Sequence, residues 1–588
     1  MSSTLAHYQG PTSLPSDYAL LSRYAGNHPE EQHSQMESDD ELTDNESTAR
    51  LNSTLRRASA PAPRCLRPQR SLGPMTSHPH HFAHIPLPGP IPSENTPLLN
   101  PPVPRIDEPI EQTSDDGSKM LIFWEELRIL TRYALPVFAT HVLEFSLIMA
   151  SVVSIGHLST TALAAITLGS MTANVSGFSI IQGFTSALDT MLPSAWTSSQ
   201  PQLVGLWAQR MTVVMAGLLV PTLCIWWNAE SILLFVKQDP EVARLAAIYL
   251  RWVSLGLPAY AFNCVSRRYF QSQGLFAVPT RIILIVAPIN VILNYMLVWG
   301  PEQIRLGFIG APIATAISFN LVSFMSIFYG VFYVPRTAWQ PLSRRTFTSL
   351  GVLVQLGLAG VGQTATEWWA WELVALAASL LGPLELATQS VLLVSASTTF
   401  QAPFALGVAT SVRIGNLLGE GKALRAGISS NTAIVMALAL SVASSTMFLL
   451  FRHSWAYLFN NDPEVVTLVA SILPLVALFQ VFDGNSAITS GILRSRGKQV
   501  TGALLNLSAY YIIGLPFGMW MTFGWGMRLS GLWIGLTVSL IYCALVGTWL
   551  CLRTDWDHEV WKVMRRLKEQ DKIRRAEADE EDRLLPSS

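Results

Sequence analysis

Charged residues are scarce in this chain of 588 residues, because only 13% are Asp, Glu, Lys or Arg while 50% are hydrophobic. A soluble domain carries roughly 25% charged residues. The composition therefore excludes an ordinary soluble protein and predicts a polytopic membrane protein, with the lipid bilayer as its surroundings and no nucleic-acid partner.

The chain also lacks the residue patterns of most enzymes. Its five cysteines are scattered and none has a partner at metal-ligand spacing, which argues against both a disulfide framework and a metal site. No phosphate-binding loop and no nucleophile–base pair is found, so we expect neither an enzyme nor a cofactor. Residues 1–30 contain no basic stretch followed by an apolar run, so we expect no cleavable signal peptide.

What the chain has instead is a series of apolar runs of about 20 residues, the length that crosses the hydrocarbon of a bilayer. The runs lie near 130–155, 162–186, 211–228, 244–264, 282–300, 308–333, 350–381, 386–410, 428–450, 464–490, 502–523 and 531–552. Before them, residues 1–118 are rich in Ser, Pro and His and predict a disordered tail. After them, residues 553–588 form a charged tail for which we expect a cytoplasmic helix.

The twelve runs form two sets of six. The tetrapeptide DPEV begins at Asp239 and again at Asp462, and the offset between the two copies (462 − 239) also joins Glu144 to Glu367 (367 − 144). Because each set has an even number of spans, both sets enter the membrane from the same side. The sequence predicts an all-α membrane protein whose two six-helix lobes, 119–335 and 336–552, are related by a pseudo-twofold axis along the membrane normal.

Basic residues predict the orientation. Arginines and lysines concentrate in one set of connections between the spans, which includes Arg267, Arg268, Arg413 and Arg494, and are few in the opposite set. Cytoplasmic loops carry an excess of Lys and Arg. Both termini are therefore expected in the cytoplasm.

Four segments resemble one transporter family in the right order along the chain. They are SALDTMLPSAW (Ser186–Trp196), YFQSQGLFAVPT (Tyr269–Thr280), ALGVATSVRIGNLLGEGKALRA (Ala405–Ala426) and SGILRSRGKQVTGALLNLSAYYIIGLPFG (Ser490–Gly518). They are similar to the multidrug and toxic compound extrusion (MATE) transporters, and more so to the eukaryotic, fungal-like branch. The resemblance covers about residues 125–552 and implies a twelve-helix carrier.

The resemblance also implies which acids bind protons and cations. TEWWAWE resembles the seventh-helix motif of the eukaryotic family, which assigns that role to Glu367 and Glu372, while Asp483 and Glu385 match further acids of the family. At 1.5 Å per residue from Gly382, Glu372 lies ~15 Å and Glu367 ~22 Å into the membrane. The two glutamates lie about 140° apart around a helix, so we expect one to line the cavity and the other to bond to a neighbouring helix.

Two of the acids keep alternative interpretations. Glu144, the repeat twin of Glu367, is either a second proton site or one half of a fixed polar contact. The bacterial branch has an aspartate in its first helix where this chain has Ser151 or an apolar neighbour. Glu385 is either a contact at the cavity rim or an ordinary solvated charge.

Other residues are predicted to line the cavity or to shape the helices. We expect four aromatic residues either to stack on an organic cation or to pack against other helices, namely Trp368, Trp371, Tyr510 and Tyr511. Asn485 is expected to be a hydrogen-bonding neighbour of Asp483. Close helix packing is expected at Gly415, an ion pair or a cap at Arg413, and helix kinks at Pro136, Pro258 and Pro516.

The tails carry short patterns. ENTPLL (Glu94–Leu99) and EEDRLL (Glu580–Leu585) resemble acidic dileucine signals that sorting adaptors bind, and RRAS places Ser59 in a basophilic kinase site. The patterns leave the vacuolar and the plasma membrane open.

Together these features predict an antiporter that uses protons to export organic cations, drugs or toxic metabolites by alternating access. A sodium-coupled exchanger and a flippase for lipid-linked substrates are the alternatives within transport, and a non-transporting sensor or scaffold is the alternative from another class.

Overall fold

The computed structural model describes residues 116–156, 160–459 and 462–584, and within them the ordered elements are helices, with no strand. The helices are α1 (Asp116–Gly156), α2 (Thr160–Ala173), α3 (Ser179–Thr185), α4 (Leu188–Trp196), α5 (Leu203–Trp227), α6 (Ala229–Phe235), α7 (Pro240–Val253), α8 (Leu257–Ser272), α9 (Ala277–Trp299), α10 (Gly310–Phe332), α11 (Leu350–Leu381), α12 (Pro383–Gly419), α13 (Ala423–Leu450), α14 (Pro463–Ser495), α15 (Gln499–Leu507), α16 (Leu515–Met519), α17 (Arg528–Leu552) and α18 (Trp556–Leu584). The patterns at Ser59 and Glu94–Leu99 lie outside the described residues, and so does the last residue of Glu580–Leu585.

Every predicted span has a helical counterpart, and ten of the described helical segments are long and apolar enough to cross a membrane. The two counterparts outside that set are α1 and α11, which have 41 and 32 residues and are therefore long enough. They carry Glu144 and the pair Glu367 and Glu372, so the polar residues of the predicted site are among those that reduce the apolar character of these two helices.

The repeat seen in the sequence is also a repeat of helix boundaries. In the N-terminal lobe, α7 begins at Pro240 and α8 ends at Ser272, and in the C-terminal lobe α14 begins at Pro463 and ends at Ser495, so both ends are shifted by the same offset as DPEV. The repeated DPEV is a helix start, because the Asp239 side chain accepts backbone N–H groups of the first turn, and Asp462 does the same in the second lobe. Proline then occupies the first helical position, where its missing N–H costs nothing.

Several spans are broken where proline or a π-helical turn interrupts the regular hydrogen bonding. A 3₁₀ turn, Ser254–Gly256, separates α7 from α8, and Pro258 lies at the start of α8. Pro516 follows the π-helical turn Ser508–Gly514 between α15 and α16. Pro136 lies inside α1, and its carbonyl oxygen accepts the Thr280 hydroxyl at 2.7 Å.

Each lobe has its own apolar core. The N-terminal lobe packs around Trp207 and Trp226, and the C-terminal lobe packs around Phe479 and Trp533, all nearly inaccessible to solvent. Each of these two cores is filled mainly by residues of one lobe, and smaller apolar clusters, such as Val137 and Phe276 with Ala405 and Val412, join the lobes.

One end of the helix bundle is closed by contacts between the lobes. We call it the basic end and define it by Arg413, Arg425, Arg494, Arg496 and Lys498. Arg413 lies in the carboxyl-terminal part of α12, and Arg494 lies in the last turn of α14. Arg267 and Arg268 likewise lie inside a helix, near the end of α8. The prediction that these arginines lie in connecting loops is therefore wrong, because the helices extend beyond their apolar runs.

The contacts at the basic end are ionic and close-packed. Arg413 binds the fully buried carboxylate of Glu126 through two nitrogens at 2.9 and 2.6 Å, and Arg425 adds a third bond at 2.6 Å. Burial alone would raise the pKa of Glu126, but the hydrogen bonds and charges of Arg413 and Arg425 outweigh it and hold the pKa below its ordinary value. A Cβ atom on Gly415 would lie 2.7 Å from Pro193 of the other lobe, so glycine is required for this approach.

Candidate functional site

A cavity of about 460 Å³ lies between the two lobes. Its wall on the N-terminal lobe is formed by α1, the π-helical turn Asn174–Phe178, α3, α4 and α8, and its wall on the C-terminal lobe by α11, α12 and α14. Both walls carry charged side chains, and the cavity is the one place in the described part of the chain where most of the predicted acids meet.

The C-terminal wall carries three carboxylates, Glu367 and Glu372 on α11 and Asp483 on α14. No hydrogen bond or ion pair joins any of them to another residue that the structure describes. The carboxylates of Asp483 and Glu367 are close enough to repel each other, and Arg494 is the cationic residue that attracts Glu367. An unpaired charge in a protein interior is costly, so these acids are suited to bind a proton or an external cation.

The N-terminal wall has an acid at the twin position, but that acid is paired. Glu144 forms an ion pair with Arg267 on α8, and its other oxygen lies 3.6 Å from Nδ1 of His141. His141 in turn packs edge-on against Phe404 of the opposite wall. The geometry agrees with the fixed polar contact that was one of the two interpretations of Glu144.

A second ionic group closes the cavity toward the basic end. Asp189 on α4 accepts a hydrogen bond from Arg268 Nε at 2.9 Å and lies 3.5 Å from Nε of Arg494, which belongs to the other lobe. The hydroxyl of Thr190 donates to the Arg494 carbonyl oxygen at 2.5 Å. These contacts join the two lobes at the floor of the cavity.

The repeat explains why the two walls differ. The residue of the second lobe that corresponds to Arg267 is Ser490, so the twin of Glu144 has no arginine available at the matching place. Conversely, the twin of Asp483 is Tyr260, whose hydroxyl accepts a hydrogen bond from Gln182 at 3.1 Å. One repeat unit therefore balances its charge internally, and the other does not.

Aromatic rings surround the charged groups. Trp368 and Trp371 of α11, Phe400 and Phe404 of α12, and Tyr260 of α8 all line the cavity. The ring of Trp371 packs edge-on against Phe479 and Trp533 of the C-terminal core, which fixes its position. Aromatic faces attract cations.

The prediction that only one of Glu367 and Glu372 lines the cavity is wrong. Both do, and neither bonds to a neighbouring helix among the described residues. Because Trp368 and Trp371, which lie between them along α11, also reach the cavity, the cavity covers more than one face of this helix.

Three predicted lining residues do not line the cavity. Tyr510 is buried in the C-terminal core, and the hydroxyl of Tyr511 donates to the carbonyl oxygen of Thr366 at 3.1 Å. Both lie in the π-helical turn between α15 and α16, which changes the face that each residue presents. Asn485 points to the last span of the lobe, where its amide donates to the Thr548 hydroxyl at 2.8 Å.

Glu385 is neither at the cavity rim nor solvated, so both of its interpretations are wrong. Its side chain is 3% exposed and forms an ion pair with Arg528, which lies far from it along the chain. The pair lies where α12 and α17 begin, away from the cavity. It joins two helices of one lobe.

Sequence reasoning missed one histidine and three charged residues of the cavity, namely His141, Asp189, Arg268 and Arg494. Asp189 lies in the motif SALDTMLP, and Arg494 lies in SGILRSRG, so both were within motifs that indicated the family. The arginines were counted only as orientation signals. The apolar residues that flank them on the same helices were the signal that they lie inside the bundle.

The comparisons with known proteins agree with this architecture. The model of the MatE family matches residues 136–296 and 361–520, one match in each lobe. The chain belongs to the MATE family. It is 37% identical to an uncharacterized transporter of Schizosaccharomyces pombe over 82% of this chain and 93% of the relative. It is 31% identical to multidrug and toxin extrusion protein 2 of Oryctolagus cuniculus over 74% of this chain and 72% of the relative.

A solved structure supports the eukaryotic branch. The eukaryotic MATE transporter AtDTX14 superposes with a TM-score of 0.72 and 30% identity, over 76% of this chain and 99% of that one. The predicted fold class and family are therefore confirmed, and the chain is a membrane-spanning transporter rather than an enzyme.

Proposed function

We propose that this MATE transporter is an antiporter that exports organic cations or toxic metabolites from the cytosol in exchange for protons. The observation that carries the proposal is the set of three carboxylates, Glu367, Glu372 and Asp483, which lie on one wall of the cavity without a partner among the described residues. The relatives named as multidrug and toxin extrusion proteins support the substrate class.

The exchange follows from competition for these carboxylates. A proton neutralises a carboxylate covalently, and an organic cation neutralises it by proximity, so the same acid cannot satisfy both at once. When protons enter from an acidic compartment, they displace the cation into that compartment. When the site faces the cytosol, the protons leave and a new cation binds.

The aromatic side chains of the cavity favour an organic rather than an inorganic cation as the substrate. Trp368, Phe400 and Phe404 provide flat apolar surfaces beside the acids, and a planar cation gains from stacking as well as from charge. Inorganic ions gain less from such a wall, because they prefer several oxygen ligands.

The closed basic end indicates which state of the transport cycle the structure represents. If the basic end faces the cytosol, as the excess of arginine and lysine indicates, the Asp189–Arg494 contact and the Glu126–Arg413 pair separate the cavity from the cytosol. This state is the one in which protons arrive and the cation leaves. Both termini then lie in the cytosol.

Transport into vesicles tests the proposal. Purified protein in liposomes is supplied with a fluorescent or radioactive organic cation, and flux is followed with a pH gradient, with a sodium gradient of equal size, or with neither. We expect flux with the pH gradient alone. Flux driven by sodium alone would support the sodium-coupled alternative, and no flux with any gradient would contradict the proposal.

Two further features belong to the proposal. The acidic dileucine patterns at Glu94–Leu99 and Glu580–Leu585 suit adaptors that sort cargo to the vacuole. If no adaptor binds them, the protein remains at the plasma membrane. A fluorescent fusion in which Leu98, Leu99, Leu584 and Leu585 are changed to alanine tests this, because its location changes only if adaptors sort the protein.

A further inference from the structure

The C-terminal helix α18 is docked to the second lobe by a buried ionic cluster. The Glu559 side chain is 4% exposed and accepts Arg496 Nη2 at 3.0 Å and Lys498 Nζ at 3.1 Å, with Lys562 Nζ at 3.8 Å. Burial alone would raise the pKa of Glu559, but the charges and hydrogen bonds of Arg496 and Lys498 outweigh it and lower the pKa. This end of α18 is thus firmly attached.

Apolar packing strengthens the same attachment. Val563 is buried and Leu567 is half-buried in a cluster formed with α12, α13 and α14. The ring of Trp556 lies against Gly427 of α13, and the guanidinium of Arg496 lies 5.6 Å from the centre of that ring. A cluster of this kind is removed from water on folding and stabilises the docked position.

The same helix also contacts the first lobe. The amide of Gln200, in the turn between α4 and α5, donates a hydrogen bond to the carboxylate of Asp571. One turn and a half earlier on the helix, Nη1 of Arg566 lies 3.8 Å from the sulfur of Met191 on α4. The two lobes are therefore joined at the basic end by a single continuous helix that lies outside the matched family segments.

We propose that α18 is a brace that stays attached to the C-terminal lobe and must release the N-terminal lobe before the basic end opens. The contacts with the first lobe are the Gln200 hydrogen bond and the contact of Arg566 with Met191, whereas those with the second include the buried ionic and apolar clusters, so the former break first when the lobes separate. An α-helix is stiff over this length, so it cannot stretch to follow both lobes. The brace favours the state closed at the basic end, and in this sense it is autoinhibitory.

The proposal rests on the alternating access of the proposed function, but its test needs no transport. A single reporter cysteine, Ser194→Cys, is placed in the closed seam, where Ser194 is buried against Gly419 of the other lobe. The five native cysteines are changed to serine beforehand, so that removing α18 exposes no other thiol. The rate at which a maleimide modifies the reporter in detergent then measures how often the basic end opens.

We expect Gln200→Ala to increase the labelling rate about fivefold, since a hydrogen bond to a charged group is lost from the closed state only. A chain that ends at residue 555 should show at least as large an increase. Glu569→Gln is the matched control, because Glu569 is on the exposed side of α18 and pairs only with Arg565 among the described residues, so its rate should stay unchanged.

Unchanged labelling in both Gln200→Ala and the shortened chain would overturn the brace. If the shortened chain fails to elute as a monodisperse protein, Gln200→Ala decides alone, because it leaves α18 intact. If the labelling rates respond as expected but the protein shows no proton-driven flux, the proposed brace is supported and only the proton coupling is contradicted.

Discussion

The two walls of the cavity are built from one repeated unit, yet their acids have different surroundings. On the N-terminal wall, Glu144 is held by Arg267, and Asp189 by Arg268 and Arg494. On the C-terminal wall, Glu367, Glu372 and Asp483 have no such partner among the described residues. An arginine partner favours the charged form of an acid and fixes its position, whereas an acid without such a partner is suited to bind a proton or a cation.

The comparison shows that two repeats can share a helical scaffold while the acids on their inner surfaces have different partners. The outer ends of α7 and α8 match those of α14 at a constant offset, and the capping aspartates match as well. Among the many differences in sequence are side chains on the inner surface, such as Arg267 against Ser490. The predictions below change those side chains.

Removing the central unpaired acid should have the largest effect. We expect Glu367→Gln to reduce proton-driven exchange about a hundredfold or more, because the amide neither binds nor releases a proton at neutral pH. Initial rates of cation flux in vesicles under a pH gradient measure the change. Glu464→Gln, an exposed acid at the start of α14, is the matched control and should transport normally; equal rates in the two variants would contradict the assignment.

Giving the second lobe the partner that it lacks should have the next largest effect. Ser490→Arg places a guanidinium at the twin position of Arg267, where it would pair with Glu367 and keep out the substrate cation. We expect flux to fall about tenfold or more. Ser490→Ala serves as the control for the loss of the hydroxyl, and if Ser490→Arg transported as fast as Ser490→Ala, the explanation of the unpaired wall would be wrong.

Removing the partner from the first lobe should mainly cost stability. Arg267→Ser leaves Glu144 without its arginine, and we expect a loss of about 2–4 kcal/mol in the free energy of unfolding, somewhat less than for a fully buried pair because Glu144 is part-exposed to the cavity. Thermal unfolding in detergent measures it. The double variant Arg267→Ser/Glu144→Gln should recover most of the loss, and a double variant as unstable as the single one would show that the pair is not the cause.

The smallest effect concerns pH at the basic end. The pKa of Glu559 is lowered from its ordinary value of 4.5 by Arg496 and Lys498 despite burial, and Lys562 and Arg566 also face it. A lowered pKa in the docked state means that docking is fully stabilised above the ordinary pKa and is lost as the pH falls through the lowered pKa.

The labelling rate of the Ser194→Cys reporter should therefore be flat above about pH 5 and rise only below it, once the rate is corrected for the ionisation of the thiol. In Glu559→Gln that rise should be absent. A rise in the wild type that is centred near neutral pH would point to another group.

Much of the architecture could be predicted from the sequence, because it depends on patterns that are local or strictly repeated. The apolar runs predicted the spans, and DPEV at Asp239 and Asp462 marked the starts of equivalent helices. Glu367, Glu372 and Asp483 were predicted by resemblance, and the structure brings them to one cavity.

The rest depends on which face a residue presents and which distant residue it meets. The π-helical turn that contains Tyr510 and Tyr511 changes the helical register, so simple counting places them wrongly. Glu385 meets Arg528 only because α12 and α17 begin side by side. The pairing of Glu144 with Arg267 required the fold of the whole N-terminal lobe.

The most direct test of the central claim is to count the protons released when an organic cation binds to the purified transporter. Calorimetry in buffers with different ionisation enthalpies gives that number without a membrane gradient. We predict proton release in the wild type and in Glu144→Gln, and almost none in the triple variant Glu367→Gln/Glu372→Gln/Asp483→Asn. Release that persists in the triple variant and disappears in Glu144→Gln would place the exchange site on the other wall and contradict the account.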